Sequence, residues 1–147
     1  VEAALAVARR LLMNLSLQAA IEAACTLRQD LPALRAASPG EVAFRLEDQP
    51  ALALYALYLA APDEEARQKL HSYAARWQHV RPTITGHDLR ARGLPTGPYY
   101  RTILNGLRRA WLDGEITTPA EEAALLETLL SQQPPGPERR DPRNFLP

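Results

Sequence analysis

The chain is expected to fold as an all-α protein, a compact bundle of about seven to eight short helices followed by a disordered, Pro-rich C-terminal tail. Three observations predict this. The apolar content, 46% of 147 residues, is mostly Ala and Leu, with aromatics at only 6%, and both residues lose little on entering a helix. Helix-start chemistry recurs along the chain. No segment reads as a strand.

The elements follow in order. A helical pattern is under way at Val1, giving spans of 2–13 and 17–29 and a short piece at 32–37. Ser38-Pro39-Gly40-Glu41 combines an N-cap Ser, Pro at the first helical position and Glu three residues after the cap, and starts a helix over 39–47. The longest apolar run, Ala51 to Ala61, lies between Pro50 and Pro62 and carries Leu52, Tyr55 and Leu59 at helical spacing; it is expected as a central core helix over 50–61. Asp63-Glu64-Glu65 places acids at the positive end of a helix over 63–79. Within it Leu70, Tyr73 and Trp77, at i, i+3 and i+7, read as core rather than as a stacking platform. Thr85 and Asp88 form a capping box for 86–92, Thr96 caps 98–112, and Thr118 with Glu121 caps 119–131. From Gln133 onward, five prolines with Arg139, Arg140 and Arg143 predict disorder. The expected organisation is a helical subdomain over 1–81, a second over 82–132 with the boundary near Pro82, and the tail over 133–147.

Charge is balanced, with 17 basic and 17 acidic residues, but unevenly placed. Lys69 is the sole lysine. Seven arginines and one acid, Asp88, lie between Arg76 and Trp111, whereas seven acids and three arginines follow from Leu112. Arginine suits phosphate because its planar fork donates in pairs. Cys25, the single cysteine, excludes a disulfide within the chain, and a reducing, cytoplasmic setting is expected. Charges or prolines interrupt every apolar run, so no membrane partner is expected. With neither an initiator Met nor a signal peptide, the chain is expected to be a piece of a longer protein. Glycine-rich phosphate loops, GxSxG, HExxH and cysteine pairs are missing, as is an acid pair to hold magnesium.

The candidate chemistry is a cationic face. On the helix from Pro98, Tyr100, Ile103, Leu104, Leu107 and Trp111 form an apolar stripe, and Arg101, Asn105, Arg108 and Arg109 a second one. No acid interleaves with these arginines, so an external anion is expected to neutralise them. Gly86 and Gly97 stand at two helix starts, where free N–H groups favour phosphate. The expected RNA-binding set is Arg76, Arg81, Gly86, His87, Arg90, Arg92, Gly97, Arg101, Asn105, Arg108 and Arg109, with Arg101 and Arg108 at its centre. Ser38, Glu41, Thr85, Asp88, Thr96, Thr118 and Glu121 are assigned to capping. A competing reading is a metal phosphohydrolase built on His87-Asp88 with His71, His79 and Asp113; the capping box accounts better for Asp88.

Thr85-Gly86-His87-Asp88-Leu89, Gly93-Leu94-Pro95-Thr96-Gly97-Pro98, Ile103-Leu104 and Leu112-Asp113-Gly114 occur in that order over 85–114. This stretch, about a fifth of the chain, resembles the C-terminal region of bacterial class II CCA-adding enzymes and poly(A) polymerases. The resemblance implies a helical body over 1–81 and a tail over 82–132 that hold tRNA, while an N-terminal nucleotidyltransferase head binds Mg²⁺ and ATP or CTP. The head's catalytic motifs match nothing here, so neither a catalytic residue nor a metal or cofactor is assigned to this chain. Lysines common in this region of relatives are replaced by arginines, which keeps the charge. The expected partners are tRNA or other RNA and that head. A helical protein-interaction or dimerisation module is the alternative.

Overall fold

The computed structural model describes residues 1–94 and 97–132. Among them every regular element is helical: α1 (Glu2–Arg10), α2 (Leu15–Ala36), α3 (Pro39–Leu46), α4 (Ala51–Ala60), α5 (Glu64–Ala75), a 3-10 turn at Trp77–His79, α6 (Gly86–Ala91), α7 (Pro98–Asp113) and α8 (Pro119–Gln132). The all-α expectation is borne out. The Thr96 cap and the tail at 133–147 lie outside the described residues.

Four elements differ from expectation. The helix expected over 2–13 stops at Arg10, because Leu12 takes a left-handed φ of 53° and Leu11, Leu12 and Met13 fold back on the last carbonyls. The segments 17–29 and 32–37 are one helix, α2, continuous through Pro32. An interior proline costs about 3 kcal/mol. Leu27, Leu31 and Leu34 bury along one stripe across that break, and Pro32 is exposed, where water can meet the carbonyl it leaves unpaired. The helix 63–79 ends at Ala75, and Arg76 turns the chain into the 3-10 segment. The apolar run 51–60 is helical but not central: Ala53 and Leu57 are buried, whereas Leu52, Tyr55 and Leu59 are 52%, 60% and 63% exposed.

The chain divides into two compact units. The first comprises Val1–Arg81 and Arg108–Glu115, so the last part of α7 belongs with α1–α5. Its core joins Leu27, Leu31 and Leu34 of α2, Val42, Ala43 and Leu46 of α3, Leu57 of α4, Leu70 and Tyr73 of α5, and Leu112 of α7. Ser38 and Glu41 close a reciprocal capping box at the start of α3. Gly40 is needed there, because its N–H donates to Asp113 Oδ1 at 2.7 Å and a Cβ would stand 2.9 Å from both the Asp113 carboxylate and Arg109 Cγ. Lys69, the sole lysine, is structural. Its Nζ donates to the carbonyls of Leu34, Arg35 and Ala37 at 3.3, 2.5 and 2.6 Å, placing a cation at the negative end of α2.

The second unit comprises Pro82–Leu107 and Ile116 onward. Leu89, Ile103, Leu107 and Leu126 form its buried centre, flanked by Ile84, Leu94, Tyr99, Tyr100, Leu104, Leu125, Leu129 and Leu130. Gly106 permits the close packing of α7 on α8, since a Cβ there would lie 3.3 Å from Leu129.

Candidate nucleic-acid interface

A guanidinium can bind phosphate when it is exposed and not already neutralised by a carboxylate. The arginines expected to bind RNA divide on this criterion.

In the second unit, Arg90 of α6 and Arg101 of α7 are exposed and have no carboxylate partner among the described residues. His87, Gly97 and Asn105 are exposed as well, and Gly86 is half-buried. Arg92 is exposed but paired with Glu127 of α8. Tyr100 Oη donates to the Leu94 carbonyl at 2.7 Å, tying the start of α7 to the turn after α6.

The start of α6 is less open to anions than its glycine implied. Thr85 Oγ1 accepts from the Asp88 N–H, and Asp88 Oδ2 accepts from both the Thr85 N–H, at 2.8 Å, and the Thr85 hydroxyl, at 2.7 Å. An incoming phosphate therefore meets a carboxylate. The Thr85 hydroxyl and N–H hold the Asp88 carboxyl below its ordinary value, with the neighbouring His87 helping less. A depressed pKa stabilises the fold above the unfolded value, and the contribution is lost as pH falls through the folded value. NMR titration should accordingly find Asp88 ionising below the usual carboxylate range. Thr85→Ala should return it towards that range and cost about 1 kcal/mol of stability. A pKa for Asp88 that Thr85→Ala leaves unchanged would refute the capping assignment. Glu121 shows the same direction, through Thr117 and then Thr118 at the start of α8.

In the first unit, Arg76 and Arg81 are exposed and lack a carboxylate partner among the described residues; Arg81 Nη1 donates to the carbonyls of Gln78 and Val80. Arg109 is exposed, with its guanidinium 5.6 Å from the centre of the Phe44 ring.

Arg108 requires a correction. It was expected at the centre of the exposed cationic face, but it is 6% exposed. Its Nη1 donates to Glu47 Oε1 at 2.6 Å, its Nε donates to the Val80 carbonyl at 3.0 Å, and its plane lies 5.4 Å from the Phe44 ring centre. The physical reason lies in helical phase. Arg108 follows Leu104 by four residues and precedes Trp111 by three, so it falls on the apolar arc. Glu47 also joins burial in pushing the Tyr73 phenol above its ordinary value, burial being the larger cause.

A second buried charge was missed. Glu122 of α8 is fully buried, and its carboxylate accepts from the N–H groups of Thr83 and Ile84, at 3.1 and 3.0 Å, and from the Thr83 hydroxyl. The signal was available, since Glu122 precedes Leu126 by four residues on the buried side of its helix. The Gly40–Asp113 contact left no local sign, because its partners are far apart in sequence.

Among the described residues, no three or more His, Cys, Asp or Glu side chains gather as a metal site requires, and no helix is long and apolar enough to cross a membrane.

Over 71 residues, 47% of its length, the chain is 36% identical to the A-adding tRNA nucleotidyltransferase of Geobacter sulfurreducens. Part of the chain thus resembles a tRNA nucleotidyltransferase. The match covers 8% of that protein's length. No family model matches the chain, and no solved structure matches it.

Proposed function

We propose that this chain binds and positions tRNA for a nucleotidyltransferase whose catalytic head lies outside the sequence. The observation that carries the reading is the 36% identity over 71 residues to an A-adding tRNA nucleotidyltransferase. The side chains support it: each unit offers exposed arginines free of carboxylates among the described residues, Arg76 and Arg81 in the first and Arg90 and Arg101 in the second. Such groups meet phosphate and fix register without reading bases. Holding the RNA body while its 3′ end reaches a remote centre contributes to rate through orientation alone. On this reading Mg²⁺ and ATP or CTP belong to the head, and the setting is the cytoplasm.

Arg90→Ala with Arg101→Ala should weaken several tRNAs to a similar degree and flatten the log–log salt slope by about two if both meet phosphate. Arg35→Ala serves as the control, because Arg35 is exposed but already paired with Asp63 and Glu65. The thermal melt of the double variant should match the parent's. Unchanged tRNA affinity in the double variant, with the fold intact, would remove these arginines from the interface.

A further inference from the structure

We infer that the cleft between α4 and α5 receives one unstacked purine base of an RNA strand, with Arg81 meeting the adjoining phosphate. This role rests on the RNA-binding reading proposed above, to which the cleft adds a contact with a base.

The cleft has a volume of about 410 Å³, and its lining residues all belong to the first unit. That is room for a ligand of nucleoside size. Rings dominate the lining: Tyr55 and Tyr58 of α4 with His71 and Tyr73 of α5. Tyr73 and Leu70 are buried and form the inner part, whereas Tyr55 and His71 are exposed and stand at the mouth. Every base has a π-face, so such rings can stack on it. An aliphatic ligand would use neither the ring faces nor the hydroxyl, imidazole and amide groups that accompany them.

The 3-10 turn contributes Gln78 to the lining. Gln78 Nε2 donates to the Ala74 carbonyl, which leaves Oε1 as the acceptor of this side chain. The exocyclic amino group of a purine supplies the matching donor.

Charge selects a nucleotide of a strand. Arg81 Nη1 donates to the Gln78 carbonyl at 2.7 Å, so an exposed guanidinium without a carboxylate partner among the described residues stands beside a lining residue. Tyr73 senses the same surroundings. Burial and then Glu47 raise its phenol, Arg108 and Arg81 pull it down, and Asp48 raises it. Arg108 is engaged by Glu47, which leaves Arg81 facing one exposed acid, Asp48. That balance suits the single charge of a phosphodiester and disfavours a free triphosphate.

The probe is a ribotrinucleotide with 2-aminopurine at its centre, whose emission falls when the base stacks on a ring. Titration with the whole chain should quench it saturably. Tyr55→Ala with His71→Ala should weaken that binding about tenfold. Both side chains are exposed, so the thermal melt should match the parent's. Arg81→Ala should flatten the log–log salt slope by about one unit. Arg35→Ala should change neither quenching nor slope, because Arg35 is paired with Asp63 and Glu65. If tRNA binds with the expected salt slope but the trinucleotide is not quenched, or is quenched equally by the Tyr55→Ala, His71→Ala variant, the cleft has no part in binding and this inference alone falls. Failure of both tRNA and trinucleotide to bind would overturn the RNA-binding reading with it. Tighter binding of 2-aminopurine riboside triphosphate than of the trinucleotide would make the cleft a mononucleotide site and overturn its assignment to an RNA strand.

Discussion

Glu47→Ala is expected to destabilise the protein by about 3 kcal/mol, the lower part of the range for breaking a buried ion pair. The cost falls on Arg108, whose side chain is 8% exposed while that of Glu47 is 38% exposed. Removing Glu47 leaves a buried guanidinium facing only the Val80 carbonyl and the Phe44 ring. Arg108 Nη2 already lacks a hydrogen-bond partner among the described residues, so little remains to offset the charge. The cost sits at the low end because the gap left by Glu47 opens to water. Urea denaturation followed by circular dichroism measures it. Glu47→Met with Arg108→Met should recover much of the loss, since an apolar pair carries no desolvation penalty. A Glu47→Ala protein as stable as the parent would show that the pair holds nothing together.

Glu122→Ala should cost about 2–4 kcal/mol, from two stranded backbone donors and a cavity. Glu122 is fully enclosed in the second unit and gathers the Thr83 and Ile84 N–H groups just after Pro82. Hydrogen exchange adds a local measure: the amides of Thr83 and Ile84 should lose protection first. Glu122→Gln, which keeps an acceptor oxygen, should fall between. Exchange at 83 and 84 no faster than in the parent would contradict the role given to this carboxylate.

The all-α fold was legible because its determinants are local. Ser38 with Glu41, Thr85 with Asp88 and Thr118 with Glu121 are capping pairs three residues apart, and each forms the hydrogen bonds its spacing implies. Pro32 misled because burial of Leu27, Leu31 and Leu34 outweighed a local rule. Leu52, Tyr55 and Leu59 misled in the opposite way: hydrophobicity identified the helix but not the side of α4 that is covered.

The site was less legible than the fold. Arg101 and Arg90 are exposed as their helices imply. Arg108 and Glu122 lie on buried arcs, and a charged residue on an apolar arc needs a distant partner that periodicity does not name. Glu47 stands 61 residues from Arg108, and Thr83 stands 39 from Glu122. Arg92 looked available for phosphate until α8 supplied Glu127.

The central claim is that this chain holds tRNA through phosphate contacts, and the most direct measurement is tRNA binding across a salt series. Fluorescence anisotropy with labelled tRNA, between about 50 and 200 mM salt, should give a log–log slope of about −2 to −4, corresponding to two to four phosphates met by arginine. Arg76, Arg81, Arg90 and Arg101 belong to the expected RNA-binding set and are exposed without a carboxylate partner among the described residues, as is Arg109, whose guanidinium lies near the Phe44 ring. Measurable binding with that slope, reduced by Arg90→Ala with Arg101→Ala, is the predicted result. A slope near zero, or no affinity for tRNA at the lowest salt, would contradict it.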